Sequence, residues 1–72
     1  MVEVYTNEGC LPCRSTKRFL TQNNVKFVEK SVQEPENLEF VKSLGHSSVP
    51  VIVTPSGENW SGNRPDRLMT LV

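Results

Sequence analysis

The sequence predicts an α/β chain with the element order β-α-β-α-β-β-α. Three observations carry that expectation. The chain opens on an alternating run of β-formers, Val2 to Tyr5. A continuous apolar run, Pro50-Val51-Ile52-Val53, has the character of a strand buried on both faces. Between them lie two helix-suited stretches, each with a proline where a first turn would fall.

Taken in order, Val2-Glu3-Val4-Tyr5 is the first strand, and Thr6 to Gly9 is a polar turn ending in glycine. Leu11 to about Asn23 suits a helix, with Phe19 and Leu20 as its core contacts. Pro12 is tolerated only in a first turn, which places the helix start at or near Cys10. Asn23-Asn24 breaks that helix, and Val25 to Val32 is a second strand anchored by Val25, Phe27 and Val32. Glu34-Pro35-Glu36 opens the next helix with carboxylates at its positive end. Leu38, Val41 and Leu44 then repeat at helical spacing, and Gly45 provides a left-handed stop. After the apolar strand, Thr54 to Gly57 is a turn into a brief strand around Asn59-Trp60, and Pro65 to about Leu71 is a last short helix. The first β-α-β should cross over right-handed with parallel strands, and the last two strands should form a hairpin.

The 72 residues, 1–72, suit one small domain without repeats or linkers. A chain of this size buries only about 60% of its unfolded surface, and small secreted domains offset that with several disulfides. Here there are two cysteines, Cys10 and Cys13. A bridge across so short a loop constrains the unfolded chain little, so the pair points to chemistry rather than to stapling. Eight basic and eight acidic residues leave no net charge, which argues against nucleic acid as a partner. No apolar run approaches the ~20 residues of a membrane span, and the first residues do not read as a secretory signal. A reducing, cytoplasmic compartment is the expectation, where a closely spaced cysteine pair signals redox work or metal binding.

Gly9-Cys10-Leu11-Pro12-Cys13 stands where a strand gives way to a helix. With Cys10 as N-cap, its sulfur faces unpaired backbone N–H groups and the positive end of the helix dipole, which favour a thiolate. Cys13 lies on the same side of the first turn, within disulfide reach, and is expected to be the more buried, resolving thiol. Cys10 would attack a partner disulfide and Cys13 would release the partner. Arg14, Lys17 and Arg18 add positive charge and Glu8 opposes it; a solvated helix face is the simpler account of these groups. Zinc is the rival reading, but Cys10, Cys13 and His46 supply three ligands where a structural site wants four. An inert pair is the other alternative, against which stands its position at a helix start. Pro50 belongs at a strand start or edge, His46 reads as a loop residue, and Trp60 fits a core or a contact surface.

Taken together, these residues resemble the small redoxins of the thioredoxin fold, and among them the NrdH-redoxins. The resemblance rests on Tyr5-Thr6 ahead of Cys10-x-x-Cys13, on Thr16-Lys17-Arg18, on Val49-Pro50 before an apolar strand, and on Trp60-Ser61-Gly62-Asn63-Arg64-Pro65-Asp66. It spans nearly the whole chain, and the last stretch is its most specific part. It implies a four-stranded mixed sheet of order 2-1-3-4 flanked by three helices, with a cis peptide at Val49-Pro50 facing the cysteines. It implies a thiol–disulfide oxidoreductase reduced by thioredoxin reductase, with a class Ib ribonucleotide reductase as client. The expected partner-contacting residues are Leu11, Pro12, Val49, Pro50, Trp60, Ser61, Gly62 and Arg64. A monomer without metal or other cofactor is expected.

Two positions depart from the family pattern. Leu11-Pro12 stands where Val-Gln or Met-Gln is usual, and Asn63 replaces a usual Phe. Asn63 suits an N-cap for the last helix, accepting from the Asp66 N–H. The nearest competing function is a glutathione-dependent glutaredoxin, which holds glutathione with a Gly-Gly-x-x-Asp type loop. Here Arg64-Pro65 intervenes before the acidic residue, and Glu8 would repel an anion. The competitor from another class is a redoxin-fold adaptor with bystander cysteines.

Overall fold

The computed structural model describes all residues, Met1–Val72. Its elements are β1 (Val2–Thr6), α1 (Leu11–Gln22), β2 (Phe27–Ser31), α2 (Pro35–Ser43), β3 (Val51–Val53), β4 (Asn59–Ser61) and α3 (Pro65–Leu68), the last continued by one 3₁₀ turn (Met69–Leu71). The four strands form one sheet of order β2-β1-β3-β4. β1 runs parallel to β2, with Val4 opposite Glu29 and Thr6 opposite Ser31; β1–β3 and β3–β4 are antiparallel. Order and topology are those the resemblance implies.

Alternation along the strands divides the core in two. On one face Val2, Val4, Ile52 and Trp60 pack with Leu20 of α1 and Leu68 of α3. On the other, Tyr5, Val32 and Val51 pack with Val41 of α2. Neighbouring Val51 and Ile52 thus serve opposite cores, as a doubly buried strand requires. The α2 stripe differs from its expected Leu38-Val41-Leu44 line. Val41 is buried, but Leu38 is exposed, and Phe40 instead reaches the Tyr5 ring at 5.4 Å between centroids.

Both long helices end in the same way. Asn24 adopts φ 59°, and its N–H bonds the Thr21 carbonyl at 3.2 Å while Val25 N–H bonds that of Leu20 at 2.9 Å. Gly45, at φ 89°, repeats the arrangement, with N–H bonds from Gly45 to Lys42 and from His46 to Val41. This is the Schellman closure, in which one left-handed residue lets two N–H groups satisfy terminal carbonyls. It also corrects the expected start of β2. Val25 belongs to the α1 cap, packed against the core ahead of the strand, and the ladder begins at Phe27.

The start of α3 is corrected too. Its N-cap is Arg64, without a side-chain cap bond, because Pro65 holds the first helical position and leaves Asn63 one residue too early. The Asn63 carboxamide oxygen instead accepts from the fully buried Thr16 hydroxyl at 3.4 Å, tying the loop before α3 to α1.

Candidate active site

The end of β1 and the start of α1 bring Cys10 and Cys13 together as a disulfide, with 5.2 Å between their Cα atoms. Cys10 is the N-cap of α1, in extended conformation, and its Sγ accepts from the Cys13 N–H at 3.1 Å. The Cys10 sulfur thus caps the helix. Pro12 occupies the second helical position, so no N–H stands there, and the first i→i−4 bond runs from Arg14 N–H to the Cys10 carbonyl at 3.2 Å. α1 has no acidic residue in its first turn to offset the positive end of its dipole. Cys10 is partly exposed, whereas Cys13 is 1% exposed.

A second segment meets the first at the sulfur. The Val49 carbonyl oxygen lies 3.9 Å from Cys10 Sγ, and the Val49-Pro50 peptide is cis. The loop after β4 is tied to that segment by the Gly62 N–H, which donates to the Pro50 carbonyl at 2.7 Å. Three stretches far apart in sequence therefore converge: Cys10 to Cys13, Val49-Pro50, and Ser61-Gly62. Leu11 and Pro12 are exposed at the rim. Arg64 is exposed and pairs with Asp66 at 3.4 Å, which holds that carboxyl below its usual range. Trp60 is a core residue at 5% exposure, with the Arg67 guanidinium 5.0 Å from its ring centre, so it offers a partner very little surface.

Beside the cysteines opens a pocket of about 400 Å³ lined by Cys10, Cys13, Glu8, Lys17 and Glu29 among others. Glu29 Oε2 accepts from Lys17 Nζ and from the Thr6 hydroxyl, each at 2.8 Å. These bonds, that of Lys17 first, hold the Glu29 carboxyl below its ordinary range. This cluster is not legible in the sequence. Its only local signal is the polar Glu29 within an otherwise plausible strand, and what brings it to Thr6 is the parallel register of β1 and β2.

A capped, partly exposed sulfur bridged to a buried one is a two-electron store: reduction opens the bond to two thiols, and oxidation closes it. The fold and this pair define a thiol–disulfide oxidoreductase of the thioredoxin superfamily. The glutaredoxin family pattern matches residues 2–58. The glutaredoxin-like protein NrdH of Lactococcus lactis is 36% identical over 72 residues, 99% of each chain. That of Escherichia coli K12 is 32% identical over 72 residues, 97% of this chain and 86% of the relative. A solved structure of NrdH-redoxin from Escherichia coli, described for its thioredoxin-like activity profile, superposes with a TM-score of 0.92 at 30% identity, covering 99% of this chain and 93% of the other. The chain belongs to the glutaredoxin family and, within it, to the glutaredoxin-like NrdH-redoxins.

Proposed function

We propose that this chain carries electrons from thioredoxin reductase to a disulfide-bearing protein, a class Ib ribonucleotide reductase, in the reducing cytoplasm and without a bound cofactor. The observation that carries the reading is the asymmetry of the pair: Cys10, at a helix N-cap, is partly exposed, while Cys13 is buried. Cys10, as thiolate, attacks the client disulfide, forming a Cys10–client bond and expelling one client thiolate, which takes up a proton. Cys13, on losing its proton, attacks Cys10 Sγ; the Cys10–Cys13 bond forms and the second client thiolate leaves and is protonated. Two electrons and two protons pass to the client, and thioredoxin reductase returns them.

The Val49-Pro50 and Ser61-Gly62 backbones, with Leu11 and Pro12, supply the surface on which a partner chain lies. The final loop favours a protein reductant over glutathione, since Arg64-Pro65 stands before Asp66 in place of the Gly-Gly-x-x-Asp type loop with which glutaredoxins hold glutathione. The thioredoxin-like activity of the Escherichia coli relative supports the same choice. The test is to measure, on one preparation, turnover with NADPH and thioredoxin reductase and turnover in a glutathione-coupled disulfide assay. The first should be fast and the second slow. The reverse pattern would make the chain a glutathione-dependent glutaredoxin, and no turnover with either would make it an adaptor.

A further inference from the structure

Helix α1 carries Arg14, Lys17 and Arg18 and no carboxylate. Lys17 is neutralised by Glu29. The remaining ion pairs are Lys30–Glu3 and Arg64–Asp66, so Arg14 and Arg18 have no carboxylate within salt-bridge distance, and both are exposed. They are not scattered. Leu11, Arg14, Ser15 and Arg18 stand at the i, i+3, i+4 and i+7 positions of one helix face and line an open depression of about 410 Å³. Leu11, 69% exposed, forms its end next to Cys10. At 1.5 Å per residue, the stripe runs about 10 Å outward from the reactive sulfur. The opposite face of α1 is buried through Cys13, Thr16 and Leu20. The carboxylates close to the cysteines, Glu8 and Glu29, line a separate pocket that shares only Arg14 with this one. A chain with no net charge therefore presents, along one line leaving its nucleophile, an apolar contact followed by two free guanidinium groups.

We infer that this stripe docks an acidic, extended segment of the protein whose disulfide Cys10 attacks. An apolar side chain beside the client cysteine meets Leu11, and carboxylates further along the segment meet Arg14 and Arg18 in the planar, two-pronged geometry guanidinium favours. The inference rests on the proposed reading of Cys10 as the attacking thiol of a protein disulfide reductase.

The experiment uses the whole chain, reduced, and three synthetic peptides with the same internal disulfide and flanking positions filled by Glu, Gln or Lys. Rates of disulfide reduction are compared at low salt and in about 0.5 M NaCl. At low salt the Glu peptide should react about five- to tenfold faster than the Gln peptide, and the Lys peptide slowest. High salt should erase the differences, because the screening length shrinks to about 4 Å. In the double variant Arg14→Glu, Arg18→Glu the order of the Glu and Lys peptides should reverse. Equal rates for all three peptides with the unaltered chain would overturn the docking stripe while leaving the oxidoreductase reading intact. A Glu preference that survives in that double variant would overturn it as well. Failure to reduce any of the peptides would overturn both.

Discussion

The proposed division of labour between the two sulfurs comes down to where each cysteine sits on a helix. Cys10 holds the N-cap and Cys13 the third helical position, so one residue is partly exposed and the other buried. Cys10→Ser is expected to abolish disulfide reduction, and Cys13→Ser to leave a client covalently attached, visible as a mixed disulfide by mass spectrometry under non-reducing conditions. Release of client at the normal rate by Cys13→Ser would reverse the assignment. Thr16 and Asn63 make a second residue-scale case. The Thr16 hydroxyl is fully buried and has the Asn63 carboxamide as its partner. Asn63→Ala should cost about 1–2 kcal/mol in denaturant unfolding, through a buried hydroxyl left unpaired. In a Thr16→Val background the same substitution should cost much less. An equal cost in both backgrounds would mean that the bond contributes nothing. The sequence pointed to Asn63 as a cap because Asn followed by Arg-Pro-Asp has the right composition. Only the placement of Pro65 at the first helical position moves the cap to Arg64 and frees Asn63 to reach across to α1.

At the scale of elements, what was legible in the sequence is what is locally determined. Pro12, Pro35, Asn24 and Gly45 mark helix ends through their own backbone constraints, and each marks the end expected of it. Asn24 tests this directly, since the left-handed region penalises a β-branched side chain but not glycine. Asn24→Val should lower stability by more than about 1 kcal/mol, whereas Asn24→Gly should leave it unchanged or slightly higher, both read from thermal unfolding. A harmless Asn24→Val would mean that the closure of α1 does not depend on that conformation. The pairing of Thr6, Glu29 and Lys17 was not legible, because it depends on which residue of β2 lies opposite Val4, a register created by the crossover through α1. The same holds for Trp60. Its place in an alternating strand allowed either face, and packing against Leu20 and Leu68 decides for the core.

For the molecule as a whole, two ion pairs brace the β1–β2 region from opposite sides of the sheet: Lys17–Glu29 and Lys30–Glu3. Both carboxyls are held below their ordinary range, chiefly by the lysine each one faces. They bind protons less readily in the folded chain than in the unfolded one. Their contribution is therefore complete above the usual glutamate value of about 4.3 and is lost as pH falls through the lower folded-state values. The thermal midpoint should drop in that acid window, and Glu29→Gln should make the drop shallower; an unchanged profile would show that the pair does not couple to folding. The disulfide adds little to this frame, since closing a loop of four residues is worth at most about 2 kcal/mol on chain-entropy grounds. The cap on α1 has a larger consequence. Because the Cys10 sulfur closes the first turn, any difference in how well the thiolate and the disulfide cap the helix enters the redox equilibrium of the pair directly. Every 1.4 kcal/mol by which the folded chain comes to prefer dithiol over disulfide moves its potential by about 30 mV, so substitutions at the start of α1 that act on one redox state more than the other shift the potential of the pair.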